Sequence, residues 1–236
     1  MTTRMKVSAI LVAAGSSRRM GFDKLAADLA GESVLVRSLL AFAACPEVAE
    51  IRVVTTPRKI AETTAAAQRL GVSKFVEAIP GGAERHLSVH AGLERVDAAC
   101  DLVAVHDAAR PLVTPAAIAR CAAVAAEHGA ATLAHRIADT LKRGNADGEV
   151  AGAVSREDLW AMETPQIFSA ALLREAYAAV LAKGETVTDE VSAVAGIGHV
   201  VKLVENSEPN FKITVPGDLA VAAAMLEAAS RHSSER

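Results

Sequence analysis

A nearly continuous apolar run, Val7–Val12, passes without a break into Ala13-Ala14-Gly15-Ser16-Ser17-Arg18-Arg19-Met20-Gly21, with Lys24 three residues further on. The run reads as a buried strand, and the small residues behind it form a loop whose backbone N–H groups can close around a triphosphate. Ala13, Ala14 and Gly15 keep bulk away from such a ligand, while the cations neutralise charge that backbone alone cannot. The spacing excludes two commoner phosphate loops. A dinucleotide fingerprint needs G-x-G-x-x-G, and a P-loop needs Gly-Lys-Ser/Thr; here Gly21 is followed by Phe22 and Asp23. Taken alone, the stretch also fits an ordinary strand-to-helix turn with a solvated arginine pair.

Beyond that junction the sequence keeps alternating. Residues 33–44 carry Val34, Leu35, Leu39, Leu40 and Phe42 at helical spacing, and residues 50–55 read as a second strand. A helix over 59–70 stopped by Gly71, a short strand at 74–78, a helix near 89–96 and a buried strand at 102–106 follow. Thr114 and Pro115 are an N-cap and a first-turn proline for a helix ending near Gly129. Later come a helix near 170–181, strands near 202–204 and 212–215, a final helix from Asp218 and a frayed polar tail over 230–236. Apolar strands separated by helices predict an α/β fold, a mostly parallel, doubly wound sheet covered on both faces. Ligands of such sheets sit beyond the C-terminal strand ends. Gly15, Gly81, Gly82 and Asp107 all follow predicted strands, so the pattern brings them to one crevice.

Residues 138–159 differ. Polar and apolar residues alternate on either side of a turn-rich connector, Arg143-Gly144-Asn145-Ala146-Asp147-Gly148, which reads as a long β-hairpin projecting from the main sheet. A hairpin alone is marginal in water, so this one needs a surface, either a second subunit or its own domain. With no repeat or linker in sight, the chain reads as a single domain over 1–236, with 138–159 as a projecting β-arm.

Composition narrows the function classes. The 236 residues suffice for a full core, and 51% hydrophobic content with only 3% aromatics argues against a stacking platform for single-stranded nucleic acid. A net charge of −3 leaves no global basic footprint, so no nucleic-acid partner is expected. Cys45, Cys100 and Cys121 lack metal or disulfide spacing and suit a reducing compartment. No signal-peptide core and no run of membrane-spanning length is present, so a cytoplasmic protein without a membrane partner is expected.

Four places carry chemistry. Asp107, in Val105-His106-Asp107-Ala108-Ala109-Arg110-Pro111, is a carboxylate at a strand end, suited to Mg²⁺ beside a triphosphate or, alternatively, to capping the following turn. Arg110 could bind a second anion or form a surface pair, and His106 reads as structural. Gly81 and Gly82, followed by Glu84, Arg85 and Ser88, suggest a loop that a flat ligand approaches closely, with the Ser88 hydroxyl free for a ribose or phosphate; a plain strand-to-helix turn is the alternative. Lys212 falls in an apolar stretch, where an unpaired ammonium is costly, so it either meets a phosphate or snorkels from an edge strand.

In order, Ala-Ala-Gly-x-x-x-Arg-Met-Gly from Ala13, Gly-Gly-x-Glu-Arg-x-x-Ser-Val from Gly81, Val-His-Asp-Ala-Ala-Arg-Pro from Val105 and Asp-Thr-Leu-Lys from Asp139 resemble the 2-C-methyl-D-erythritol 4-phosphate cytidylyltransferase family of the non-mevalonate isoprenoid pathway. The resemblance continues through Arg-x-x-Leu-Trp from Arg156, Thr-Pro-Gln-x-Phe from Thr164, Thr-Asp-Glu from Thr188 and Asn-x-Lys-Ile-Thr-x-Pro-x-Asp-Leu from Asn210. It implies a Rossmann-like nucleotidyltransferase fold, CTP and a polyol phosphate as substrates, Mg²⁺ or another divalent cation, and a homodimer formed through the β-arm. It implies that Ala13, Ala14, Gly15, Arg19, Lys24 and Lys212 bind the nucleotide, with Arg19 and Lys24 stabilising the pentacoordinate phosphorus. Gly82, Ala83 and Ser88 would face cytosine and ribose, and Asp107 would hold the metal. Around the methylerythritol phosphate would stand Asp107, Ala108, Arg110, Thr140, Thr164 and Lys212, with Arg156 coming from the partner. Related chains can be fused to the pathway's next enzyme; this one ends soon after the last motif and reads as monofunctional.

The chain leaves the family's pattern at three places. Asp23-Lys24-Leu25 stands where Pro-Lys-Gln is usual, so Asp23 is expected to offset part of the Lys24 charge. Ala83 replaces a common aspartate, and His135 replaces a proline before the arm and reads as structural. Two other readings remain open: transfer to a different polyol phosphate such as ribitol 5-phosphate, and a nucleotide-binding regulatory protein without turnover.

Overall fold

In the computed structural model, which describes residues 5–15 and 20–234, the first apolar run becomes the middle of a seven-stranded sheet. The chain runs β1 (Val7–Val12), β2 (Asp28–Leu29), β3 (Glu32–Ser33), α1 (Val34–Ala44), β4 (Val48–Thr55), α2 (Ile60–Arg69), β5 (Phe75–Pro80), α3 (Arg85–Leu93), β6 (Leu102–Asp107), α4 (Pro115–His128) and β7 (Ala130–Arg136). Then come the hairpin β8 (Leu141–Gly144) and β9 (Val150–Val154), β10 (Trp160–Ser169), α5 (Ala170–Lys183), α6 (Glu190–Gly196), β11 (Lys202–Glu205) and α7 (Pro216–Ser234). The strand order is β11-β7-β10-β6-β1-β4-β5. Only β10 runs against the rest, pairing antiparallel with both β6 and β7.

Period-two alternation along the strands makes two cores. Ala9 and Leu11 of β1 pack on one side with Leu39 and Phe42 of α1, Ile118 of α4 and Ala222 of α7. Ile10 of β1 and Val103 and Val105 of β6 face the other side, with Val89 and Leu93 of α3, Leu173 and Tyr177 of α5 and Val194 of α6. Each fully buried Val, Leu or Ile contributes roughly 1.5–3 kcal/mol, so these two layers dominate the stability. Order reverses at β1, because the chain moves outward through β4 and β5 and then returns to place β6 on the other flank. A crevice at the C-terminal ends of β1 and β6 is the geometric result.

Local signals explain most helix boundaries. Ser33 caps α1 by accepting the Val36 N–H at 3.3 Å, and Thr114 caps α4 by accepting the Ala117 N–H at 3.1 Å. Gly129 ends α4 with φ of +82°, a conformation that favours glycine.

Several boundaries differ from the sequence reading. The stretch 212–215 is not a strand; it has no regular structure, its Ile213 N–H meets the Ala109 carbonyl, and the Asp218 carboxylate takes the Thr214 and Val215 N–H groups that a ladder would use. The final helix starts at Pro216 and α7 continues to Ser234, so residues 230–234 are helical rather than frayed. α3 begins at Arg85, directly behind the glycine loop, and ends at Leu93. The sequence reading placed no elements at β7, β10 and α6. In β10, Glu163, Thr164, Pro165 and Gln166 hide a buried strand behind polar residues, and the pairing with β7 is irregular where Pro165 falls.

The hairpin projects as expected. Among the described residues β8 and β9 pair only with each other, and residues 141–154 are exposed or half-buried throughout. At its root, the Arg136 guanidinium lies 4.4 Å from the Trp160 ring centroid and Arg156 donates to the Ala138 carbonyl.

Candidate active site

A cleft of about 470 Å³ opens beyond β1, β5 and β6. Ala14, Gly15, Lys24, Gly82, Ala83, Ser88, Asp107 and Lys212 all line it, together with Val12, Met20, Leu25, Glu84, Arg85, Ala109 and Thr214. Eight of the anticipated residues therefore converge from four separate stretches of chain. Arg19 lies outside the described residues.

Asp107 is the electrostatic centre. Its Oδ1 takes the Arg85 Nε–H at 3.1 Å and its Oδ2 takes the Lys212 ammonium at 2.7 Å. Burial works to raise the carboxyl pKa, but Arg85 and Lys212 outweigh it and hold the group ionised well below the usual carboxylate range. Arg85 is in turn fixed by two bonds to Glu190, at 2.7 and 3.1 Å, and Glu190 is wholly buried. Tyr177 donates its hydroxyl to Glu190 at 3.0 Å, and the Glu190 backbone N–H donates to Gln166 Oε1. Burial opposes the Arg85 charge, yet Glu190 and Asp107 raise its pKa. The sequence reading quoted Arg85 and Glu190 within motifs and gave neither a role. Only the fold brings together these residues, 105 positions apart.

Lys212 stands at the cleft as expected, but its setting is different. It lies on irregular chain rather than in a strand, and its side chain is 38% exposed. Neither a buried strand lysine nor an edge-strand snorkel describes it; Asp107 draws it over the strand ends.

Lys24 reaches across the cleft mouth and donates to the Ile213 carbonyl at 2.7 Å. The expected interference from Asp23 is redirected. Asp23 pairs with Lys59, and its other oxygen accepts the Leu25 N–H at 3.2 Å in a local turn. Lys59 thus takes up the Asp23 charge beside Lys24.

The glycine loop is shaped by contact. A Cβ on Gly81 would lie 2.5 Å from the Ala14 Cβ, and one on Gly82 would lie 2.5 Å from the Leu87 Cβ. Ser88 is buried, and its hydroxyl accepts the Gly82 N–H at 3.1 Å and donates to the Glu84 carbonyl at 3.0 Å. The hydroxyl thus orders the loop from beneath, and Ser88 also lines the cleft. The remaining anticipated residues lie behind or away from the cleft. Ala13 and Ala108 are buried under it. Arg110 spends its guanidinium on the Asn210 carbonyl at 2.8 Å and the Met162 carbonyl at 3.2 Å, in place of a surface pair. Thr164 accepts the Asp107 backbone N–H at 3.1 Å and donates to His106 Nδ1 at 2.9 Å, so it holds the strand end. His106 is structural, with its Nε2–H directed to the Arg110 carbonyl at 3.2 Å and its pKa driven down to about 3 by burial. Thr140 and Arg156 are exposed on the arm and its flank, outside the cleft of their own chain. His135 meets the buried Glu163 at 2.7 Å.

A doubly wound sheet with a glycine-lined, cation-bearing cleft at the point where strand order reverses is the framework of a nucleotide-binding α/β protein. Comparison with known proteins narrows that class. The 2-C-methyl-D-erythritol 4-phosphate cytidylyltransferase family profile matches residues 7–228. A protein of that name from Caldanaerobacter subterraneus subsp. tengcongensis is 39% identical over 225 residues, 92% of this chain and 97% of its own. Among solved structures, the cytidylyltransferase of Thermus thermophilus superposes with a TM-score of 0.76 at 34% identity, covering 94% of this chain and 98% of that one. The 4-diphosphocytidyl-2C-methyl-D-erythritol synthase of Anaerococcus prevotii reaches a TM-score of 0.83 at 26% identity, covering 95% and 100%. The chain belongs to the 2-C-methyl-D-erythritol 4-phosphate cytidylyltransferase family.

Proposed function

We infer that this chain transfers the cytidylyl group of CTP to 2-C-methyl-D-erythritol 4-phosphate, releasing pyrophosphate, as a step of isoprenoid biosynthesis. The observation that carries this reading is the meeting of Lys24, Lys212 and Asp107 over the ends of β1 and β6, beside the Ala14–Gly15 backbone. The chemistry is an in-line displacement: a phosphate oxygen of the acceptor bonds to the α-phosphorus as the bond to the pyrophosphate oxygen breaks. A phosphate monoester is already anionic near neutral pH, so no general base is needed. The obstacle is bringing two anions together, and positioning with cationic stabilisation supplies most of the acceleration.

In this reading the backbone of Ala13, Ala14 and Gly15 cradles the triphosphate, and Lys24, with Arg19, bears on the α-phosphorus. Lys212 sits where the acceptor phosphate and the nucleotide meet. The Gly81–Gly82 turn faces the base with its backbone, which needs no side chain at Ala83. Asp107 accepts one cation on each oxygen, leaving further lone pairs, and Mg²⁺ takes only one or two protein carboxylates beside phosphates and water. The donor set therefore fits a metal shared with the nucleotide, which would neutralise phosphate charge. Among the described residues no cluster of three His, Cys, Asp or Glu side chains could hold a metal without the substrate.

The β-arm supplies the acceptor site of a second copy in a homodimer. Its exposed faces and its Val150, 72% exposed, need a surface that its own described domain does not offer. Thr140 and Arg156 would then reach the cleft of the partner. No helix among the described residues is long and apolar enough to cross a membrane; a cytoplasmic setting follows from the nucleotide substrate. Pyrophosphate release measured with CTP and a panel of polyol phosphates tests the assignment. Release with methylerythritol phosphate above all others is expected. Preference for ribitol 5-phosphate would reassign the acceptor, and CTP binding without release would point to a regulatory protein.

A further inference from the structure

Between β11 and α7 the chain crosses the strand ends without a ladder. Among the described residues, backbone bonds tie residues 206–215 to the sheet side only at Asn206, whose N–H meets the Ala134 carbonyl at 2.8 Å, and at Ile213, whose N–H meets the Ala109 carbonyl at 2.8 Å. Yet this segment carries Lys212 to Asp107 and presents the Ile213 carbonyl to Lys24. Something else must fix its path.

Asp218 accepts the Thr214 and Val215 N–H groups and Thr114 holds Glu208, while before Lys212 the segment meets one buried carboxylate. Glu163, on β10, is 3% exposed and outside the cleft lining. Its Oε2 accepts Nδ2–H from Asn206 at 3.0 Å and from Asn210 at 2.8 Å, and its Oε1 lies 2.7 Å from His135 Nδ1. Asn210 also donates to the Thr164 carbonyl at 2.9 Å and accepts Arg110 through its own carbonyl. Lys212 is two residues further on. A buried charge is a weak way to gain stability, since desolvation cancels most of the attraction. It is an effective way to select one path for an irregular segment, because every other path strands the charge.

We propose that Glu163 is a positioning residue: acting through Asn210, it sets where Lys212 stands against Asp107. The proposal rests on the reading of Lys212 as a cation at the reacting phosphates. Glu163→Leu keeps most of the volume but removes the oxygen that accepts both Asn206 and Asn210. Turnover falls about tenfold, the scale of a sub-ångström misplacement. The CTP KM stays within about threefold, because the Gly81–Ser88 loop is set by β5 and α3.

A double-mutant cycle separates positioning from general support. In a Lys212→Ala background the same Glu163→Leu change costs less than about twofold more in turnover, since the group it places is gone. Equal losses in both backgrounds, or unchanged turnover in the folded single variant, overturn the proposal and leave Lys212 its role. Full turnover in Lys212→Ala alone removes the reading of Lys212 and this proposal with it. Circular dichroism and Tm establish folding; if Glu163→Leu does not fold, Asn210→Ser goes through the same cycle with the same deciding outcomes.

Discussion

Lys212 Nζ stands 2.7 Å from Asp107 Oδ2, a bond between residues 105 positions apart that closes one wall of the cleft. Arg85 holds the other oxygen, and Glu190 holds Arg85, so the cleft carboxylate is oriented from two sides. The charge state follows. A carboxyl held below its unfolded value contributes stability that is present above the unfolded pKa and is lost as pH falls through the folded one. For Asp107 that window lies below about pH 4, so its ionisation is secure at neutral pH.

Lys24→Ala lowers turnover by about 10²–10³, the cost typical of removing one preorganised donor. Tm changes little, because the ammonium meets a carbonyl at the cleft mouth and packs no core. Steady-state kinetics with a melting curve checks both. Arg19→Ala is expected to behave alike, and near wild-type turnover in folded variants would remove their catalytic roles.

Lys59→Ala is expected to lower turnover severalfold although Lys59 lies outside the cleft. The substitution releases Asp23, next in sequence to Lys24, from its ion pair. Asp23→Asn in the same background restores most of the loss by removing the charge. No recovery in the double variant would show that Lys59 acts by another route.

Gly81→Ala forces a Cβ to within 2.5 Å of the Ala14 Cβ, a clash between two loops that both line or underlie the cleft. Overpacking of this kind costs about 1–3 kcal/mol, and here part of it appears as a raised CTP KM. Calorimetric binding of CTP measures the change; unaltered affinity would mean that the loops shift without affecting the nucleotide.

Acid sensitivity above pH 4 comes from His106. Its folded pKa is about 3 against an unfolded value near 6.5, so between these the unfolded chain binds a proton that the folded one does not. Its contribution is complete above pH 6.5 and falls on acidification by up to about 1.4 kcal/mol per pH unit. NMR of the ring nitrogens in the folded protein should show no titration between pH 7 and 5. A midpoint near 6.5 would contradict the buried Thr164–His106–Arg110 arrangement.

The arm predicts complementation. Inactive Arg156→Ala and Lys24→Ala chains, mixed, regain activity if each cleft takes its arm from the other copy, since one cleft in the mixed dimer then has both groups. Absence of recovery in verified mixed dimers would place the acceptor site within one chain.

The sequence by itself determined the strands apolar on both faces, the capped helices, the projecting hairpin and the residues that line the strand ends, because each leaves a local periodic or turn signal. Gly15, Gly82, Lys24 and Asp107 were legible for that reason. It also exposed the family's ordered motifs. Only the tertiary structure decided what those side chains spend their bonds on. Ser88 also supports the glycine loop and Thr164 the end of β6, and Asp23, next to Lys24, is paired with Lys59. Lys212 read as a strand residue and lies on irregular chain, two residues beyond Asn210, which is held by Glu163, a carboxylate that no local pattern marks. The physical reason is common to all of them. Periodicity reports which face of an element is buried, whereas hydrogen-bond and ion-pair partners are set by contacts between distant segments, which exist only once the sheet has brought its strand ends together.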